Sequence, residues 1–397
     1  MKRSVGTVAR GIRTPIVSQG DSIEKIVIDS IQKAAEQEGF SIRDRDIIGI
    51  TESVVARAQG NYASADDIAI DVKSKLGGQK LGLLYPILSR NRFAVLLRGI
   101  ARSTSHIVLM LNYPSDEVGN PLVSIDELDA RGIDPWTDHL TEEDFRNAFG
   151  VTVHPFTGVD YVEYYRSIIE ESGAECTILF SNRPETVLEH TDQVLTCDVH
   201  TRSRTKRQLL NAGAKKVYCL DEILTEPVNG SGYNPEYGLL GSNKATEETI
   251  KLFPRDCQML AERIRNKLKE QTGKIVEVLV YGDGAFKDPQ GKIWELADPV
   301  VSPGYTEGLE GTPNEVKIKY LADNDFADLE GEALQDAISQ HISSKKENLV
   351  GAMEAQGTTP RKLTDLIGSL CDLTSGSGDK GTPVVYIQGY FDSYIER

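Results

Sequence analysis

The chain has 397 residues, of which 39% are hydrophobic and 26% charged, with a formal net charge of −16 at pH 7. That length exceeds what one hydrophobic core usually serves, so two domains are expected. The acidic balance argues against nonspecific binding to nucleic acid or to anionic membranes. No apolar run approaches the ~20 residues that span a bilayer, and Met-Lys-Arg-Ser-Val-Gly at the start lacks the apolar stretch of a signal peptide. Five cysteines, Cys176, Cys197, Cys219, Cys257 and Cys371, are widely spaced without a Cys-x-x-Cys pair. Reduced, mostly buried thiols and a cytoplasmic location are therefore expected.

Along the chain, Asp21-Ser22-Ile23-Glu24 reads as a capping-box helix start after the loop at Gly20. Ile23, Ile26, Val27, Ile31, Ala34 and Ala35 give that helix its apolar stripe, and Gly39 stops it. A short apolar strand from Asp46 then ends in Thr51, Glu52 and Ser53, and a turn-rich small-residue segment carries Arg57 to Gly60. Polar groups at a strand end followed by a cation suit an anion or nucleotide site; an ordinary strand with a surface helix after it has the same composition. A second strand, Ser105 to Leu111, leads into the polar turn Asn112 to Pro121.

From about Ile125 to Thr249 the texture changes. Cys176–Phe180, Gln193–Cys197 and Lys216–Leu220 read as buried strands, with helices at Tyr161–Glu171 and Arg204–Ala212. This alternation predicts a small α/β unit with a parallel sheet. Its exit, Glu226 to Pro235, is turn-rich and reads as a linker or flexible loop. Asp256 is placed to cap a helix closed by Gly273, and the strand Ile275–Val280 runs into Tyr281-Gly-Asp283-Gly284. A last helix is expected to start at Thr359-Pro360 and run through Leu370. The loop Ser375-Gly-Ser-Gly-Asp-Lys-Gly381 then leads to the strand Pro383–Ile387.

Asp116 and Asp283 both follow strands, where carboxylates suit Mg2+ or Mn2+, but aspartate is also a common turn former. Gly376 to Gly381 could cradle phosphate through backbone amides with Lys380 adding charge, or simply connect two elements. It lacks the P-loop spacing, which is absent from the whole chain. Between Asp198 and Arg207, the cations Arg202, Arg204, Lys206 and Arg207 could meet an anion at a helix N-terminus or form a solvated basic face. The six histidines show no metal-ligand spacing, and no Gly-x-Ser-x-Gly elbow occurs.

The order of these pieces resembles the coenzyme F-420-0:L-glutamate ligase family. Gly11-Ile-Arg-Thr-Pro15 and Gly20-Asp21 are similar to its N-terminal glycine, proline and Gly-Asp. Thr51-Glu-Ser-Val-Val-Ala-Arg-Ala-Gln-Gly60-Asn61 resembles its Thr/Ser-x-x-Val-Val-Ser-Lys-Ala-Glu-Gly-Arg, and Asn112-Tyr-Pro-Ser-Asp116 its Asn-Ala-Gly-Ile-Asp. Phe253-Pro-Arg-Asp256 resembles Leu-Pro-x-Asp, and Tyr281-Gly-Asp283-Gly284 resembles a strand ending in Ser-Asp-Thr. Gly376-Ser-Gly-Asp-Lys-Gly-Thr-Pro383-Val-Val resembles Gly-x-x-Asp-Glu-Gly-x-Pro-Val-Val. Six matches in order cover roughly 1–120 and 250–397, leaving the middle without a counterpart.

The resemblance implies an α/β (α+β) ligase-like core of its own type, not a Rossmann or P-loop core, forming an intertwined homodimer. The core would be 1–124 with 250–397, and 125–249 an inserted α/β domain. It implies an amide ligase that uses GTP to turn a carboxylate into an acyl phosphate, which the amine of L-glutamate or a similar amino acid attacks. Its partners would be these small molecules, with no nucleic acid and no membrane, and its ions Mg2+ or Mn2+, with K+ a further candidate. Asp116 and Asp283 would hold metal. Arg13, Thr14, Glu52, Ser53, Arg57, Gly376, Ser377, Gly378, Asp379 and Lys380 would contact nucleotide, and so would Asn120 if one residue is inserted in its turn. The catalytic residues stay unassigned.

Departures from the pattern qualify this. Gly284 replaces the family's threonine, Ser377 falls on a Gln/Glu position tied to a second metal, and Arg57 replaces a lysine. The Gly-Arg-Pro-Trp-Arg segment becomes Ala285 to Trp294. The alternative is a ligase-like protein that binds nucleotide or metabolite without catalysis. A third reading puts a small-molecule site in the middle region, near Asn182, Asp198 and His200 at strand ends.

Overall fold

The computed structural model describes residues 4–282, 285–287, 294–296, 301–356, 361–375 and 379–395. The fold is mixed α/β with several sheets. In chain order the first strands are β1 (Val8–Ile12), β2 (Ile47–Thr51), β3 (Tyr62–Ser64), β4 (Lys80–Leu84) and β5 (His106–Leu111). There follow β6 (Leu140–Thr141), β7 (Glu175–Phe180), β8 (Gln193–Thr196), β9 (Lys216–Cys219), β10 (Asn243–Lys244) and β11 (Thr249–Lys251). The last are β12 (Glu277–Gly282), β13 (Ala285–Lys287), β14 (Trp294–Leu296), β15 (Val301–Tyr305) and β16 (Val384–Gln388).

Two compact units emerge, one comprising Met1–Val55, Asp256–Phe286 and Glu295–Arg397, the other Ala56–Arg255 and Lys287–Trp294. The first break therefore falls at 55/56 and not at the expected 124/125. The reason is strand pairing. β5 lies parallel between β4 and β7, and β4 lies parallel beside β8, so the segment before residue 125 supplies two inner strands of the middle sheet.

The first unit is built on a mixed five-stranded sheet in the order β1-β16-β2-β12-β15. Ile47, Ile48 and Ile50 of β2, Val278 to Tyr281 of β12 and Val384 to Ile387 of β16 are all buried, as expected of inner strands covered on both faces. The helix Leu363–Ser375 packs Leu363, Ile367 and Cys371 against Ile47, Leu279, Tyr281 and Val385. Gly49 is required in β2 because a Cβ there would lie 2.3 Å from Cys371 Sγ. The expected strands of this unit all form, with small shifts at their ends.

Its helix caps differ in detail from the sequence reading. Ser22, not Asp21, caps Ile23–Glu38 by accepting from Lys25 N, while Asp21 Oδ2 accepts from Ser18 N–H at 2.7 Å. Asp256 precedes Cys257–Thr272 in a left-handed conformation, φ 57°, with no side-chain cap. Of the two readings of the segment after Thr51, a turn-rich stretch or a helix, the helix forms, Glu52–Gln59, starting directly at the strand end. Thr359 and Pro360 lie outside the described residues; the helix expected there is described from Leu363 to Ser375.

The second unit holds a six-stranded sheet in the order β6-β7-β5-β4-β8-β9, parallel except for β6. Its five parallel strands follow the 3-2-1-4-5 order of doubly wound folds, so the parallel α/β unit expected in the middle region forms, enlarged by β4 and β5. Alternate residues feed opposite faces. Leu81, Leu83, Ile107, Leu109, Ile178 and Leu195 join one core, and Leu84, Val108, Met110, Leu179 and Val194 the other. The strand β4 escapes sequence reading because its apolar run continues through Tyr85-Pro-Ile-Leu88 without a break.

Glu226 to Pro235 is no linker. Buried Asn234 donates Nδ2 to the carbonyls of Phe253 and Pro254, both at 3.1 Å, and its Oδ1 accepts from Glu236 and Tyr237 N–H. Gly232 N–H donates to Tyr62 O and Tyr233 N–H to Asn61 Oδ1, which fastens the loop's second half.

Candidate functional site

In the first unit, strand directions bring several of the expected residues to one end of the sheet. Ile12 at the end of β1 pairs with Val384 at the start of β16, and Val384 pairs with Ile50 near the end of β2. Thr51 in turn pairs with Tyr281 near the end of β12. The carboxyl ends of β1, β2 and β12 and the amino end of β16 therefore share one sheet edge.

Arg13 and Thr14 follow β1, Glu52 and Ser53 follow β2, and Asp379 and Lys380 precede β16. The connection is direct in two places. Thr14 N–H donates to Gly381 O at 3.2 Å, and Thr51 N–H to Pro383 O at 3.0 Å. Thr382 Oγ1 also donates to Ser375 O at 2.8 Å. Arg13, Asp379 and Lys380 are exposed, Thr14 and Ser53 half-buried, and Glu52 buried. Asp283 is the residue after Gly282 of β12 but lies outside the described residues, as do Gly284, Gly376, Ser377 and Gly378.

The other expected residues belong to the second unit. Arg57 is exposed on the helix Glu52–Gln59. Asp116 and Asn120 form one closed turn after β5. Asp116 is 6% exposed, and its Oδ1 accepts from Val118 N–H at 3.1 Å and Asn120 N–H at 2.8 Å. Its Oδ2 accepts from Leu88 N–H and from Asn120 Nδ2, both at 2.8 Å. Burial nonetheless raises the Asp116 carboxyl above its ordinary range, against these four donors. A carboxylate with four acceptor positions in use is a turn anchor, and a cation would have to displace its donors. In this arrangement Asp116 does not fit direct metal coordination.

The network continues to His154, which sequence reasoning missed. His154 Nδ1 accepts from Phe156 and Thr157 N–H, each at 3.3 Å, so Nε2 carries the proton and donates to Asn120 Oδ1 at 3.2 Å. Burial lowers its pKa, which keeps the ring neutral and suited to both roles. Nothing in the spacing of the histidines signals this, because the contact spans 34 residues.

Further along the same sheet, the residues after β8 meet Glu117, which the sequence also did not single out. Glu117 accepts from Val199 N–H through Oε1 and from His200 N–H through Oε2, the latter at 3.0 Å. Two of the four cations in the basic run that follows are paired. Arg202 donates to Asp221 at 2.6 Å and Lys206 to Glu222 at 2.6 Å. Asn182 is used internally, donating Nδ2 to the carbonyls of Tyr113 and Pro135.

Cys219, Asp221 and Glu222 place one potential metal-ligating atom each within 4.8 Å of one another. Both carboxylates already hold a cation, and burial pushes the Cys219 thiol up to about 11, so this group is poorly disposed to take a metal. All five cysteines are free, and only Cys176 is not fully buried. Among the described residues no helix is long and apolar enough to cross a membrane.

The class of protein follows from the family whose model the chain matches, a ligase family that forms C–N bonds. The family model described as F420-0:Gamma-glutamyl ligase matches residues 11–389, nearly the whole chain, and the chain belongs to that family. Among curated proteins, none matches it.

Proposed function

We propose that this protein is a nucleotide- and divalent-cation-dependent amide ligase that joins L-glutamate or a similar amino acid to a carboxylate acceptor. The observation that carries the reading is the shared edge of the first unit's sheet. Chain segments 13–14 and 52–53 leave, and 379–380 leads into, neighbouring strands there, and Asp283 is next in sequence after a fourth.

In the proposed reaction a carboxylate oxygen of the acceptor attacks the terminal phosphorus of GTP, and the nucleoside diphosphate leaves. The amine of the amino acid then attacks the acyl carbon, phosphate leaves, and the nitrogen loses a proton. Arg13 and Lys380 would offset phosphate charge, and Thr14 and Ser53 would donate hydrogen bonds. A divalent cation would supply further charge neutralisation during phosphoryl transfer, with Asp283 its proposed ligand. No step is routed through a metal on Asp116, whose acceptors are occupied. The family likeness further leads us to propose a cytoplasmic homodimer.

The test is product formation, read by mass spectrometry, from GTP or ATP, Mn2+ or Mg2+, L-glutamate and a panel of carboxylates. Thermal melting with each nucleotide accompanies it, since ligand binding to the native state raises the midpoint. No shift with any nucleotide at millimolar metal would sink the proposal. The saturated carboxylate of Asp116 favours a second reading, a ligase scaffold that binds nucleotide without turning it over. Nucleotide-dependent stabilisation without phosphate release across the panel would select it.

A further inference from the structure

The order of parallel strands in the second unit reverses between β4 and β8. In sheets of this type the crevice at the carboxyl ends of the two strands flanking that reversal is where ligands bind. Two buried side chains stand at those ends. Tyr85, the residue after β4, is 5% exposed and holds a left-handed backbone, φ 57°. Asp198, two residues after β8, is 1% exposed.

Each carries a polar atom that no partner reaches among the described residues. These are Tyr85 Oη and Asp198 Oδ1. Asp198 Oδ2, by contrast, accepts from Thr201 Oγ1 and Thr205 Oγ1, both at 2.7 Å. A buried carboxylate oxygen without a donor is costly, as is a buried phenol without a partner, and such groups are retained where something else completes them.

Beside Asp198 the next two amides, Val199 and His200, both point at one carboxylate, that of Glu117. They precede the ten-residue helix Arg202–Asn211, whose first turn has no acid and whose N-cap, Thr201, makes no side-chain cap bond. Two consecutive amides before a helix form an anion site, and here an internal carboxylate fills it. Glu117 is held there at some disadvantage: burial raises its pKa, and the charge of Asp198 adds to the rise. Asp198 also bears electrostatically on Tyr85, which places the three groups in one neighbourhood.

We propose that the carboxyl ends of β4 and β8 form a second small-molecule site, which Glu117 closes from within. Its ligand pairs an anionic group, seated on the Val199 and His200 amides in place of Glu117, with a hydroxyl or ammonium donor seated on Asp198 Oδ1 and Tyr85 Oη. An amino acid and a sugar phosphate both have this chemistry. The site lies wholly within the second unit and does not depend on the ligase reading of the first.

The test is isothermal titration of the full chain with L-glutamate and, separately, with ribose 5-phosphate. One of the two is expected to bind, identifying the source of the anion. Glu117→Gln removes the competing charge and should tighten that binding at least about tenfold. Tyr85→Phe deletes only an unpartnered hydroxyl, so it should leave the melting temperature unchanged or raised while weakening binding several-fold. Glu52→Gln, in the other unit, should leave this binding as it was. The proposal is overturned if neither probe binds wild type or Glu117→Gln at millimolar concentration. It is equally overturned if binding ignores Glu117→Gln and Tyr85→Phe alike, or follows Glu52→Gln instead.

Discussion

Thr14 N–H donates to the carbonyl of Gly381 at 3.2 Å, joining the segment that leaves β1 to the one that enters β16 across 367 positions of sequence. Through this bond Arg13 and Lys380, two exposed cations, are held on neighbouring strand ends. If these cations serve a triphosphate, Lys380→Ala should weaken nucleotide-dependent thermal stabilisation and lower turnover by about tenfold or more. The unliganded melting temperature should change little, because Lys380 is exposed. A variant with unaltered nucleotide response would remove Lys380 from the site.

Asp116 supports a turn with four hydrogen bonds from its own neighbourhood. Asp116→Asn would set an NH2 group against N–H donors and should cost about 3 kcal/mol, measured by urea denaturation in EDTA. A pure metal ligand would behave differently, losing only the stabilisation that added Mn2+ provides. Wild-type stability of the variant in EDTA would contradict the anchoring role.

His154 makes stability depend on pH in a defined sense. Its folded pKa lies below the unfolded value of ~6.5, so the unfolded chain takes up the proton first as pH falls. The neutral ring's contribution is complete above that value and is lost as pH falls from the unfolded pKa towards the folded one. Protonation of Nδ1 would also oppose Phe156 and Thr157 N–H. The urea midpoint should therefore drop as pH falls below about 6.5, and His154→Gln should flatten that part of the profile. An identical slope in the variant would assign the titration elsewhere.

Gly49 admits the helix Leu363–Ser375 against β2, its missing Cβ leaving room for Cys371. Gly49→Ala should destabilise the protein by about 1–3 kcal/mol through overpacking. Adding Cys371→Ala removes the sulfur from the contact and should recover part of the loss, a coupling that a double-mutant cycle reads directly. Simple additivity of the two changes would show that the contact is not the cause.

Much of the local structure was legible in the residues. Tyr161–Glu171 forms its helix with the expected bounds because Asp160 caps it and its apolar residues recur at helical spacing. The buried strands β2, β12 and β16 are short apolar runs bounded by polar or turn residues, the clearest pattern a sequence offers. Family membership was also legible, since ordered short motifs depend on residue identity and not on packing. The segment after Thr51 left two readings open because alanine and valine with few charges suit a turn-rich loop and a short helix equally, and contact with the rest of the fold selects the helix.

The sequence by itself determined the motifs, the family and the ends of most elements, because caps, glycines and apolar periods act over a few residues. The pairing of strands was decided only in three dimensions. β4 and β5 join the sheet of the middle segment, and nothing in residues 80–84 or 106–111 says so, because parallel strands carry no register signal in their connecting loops. The same holds for function. Which strand ends share an edge in the first unit, and that Glu117 covers two amides 82 and 83 positions away in the second, follow from sheet order alone. Such long-range contacts form where buried surface outweighs the entropy of closing the chain, a balance set by the whole fold.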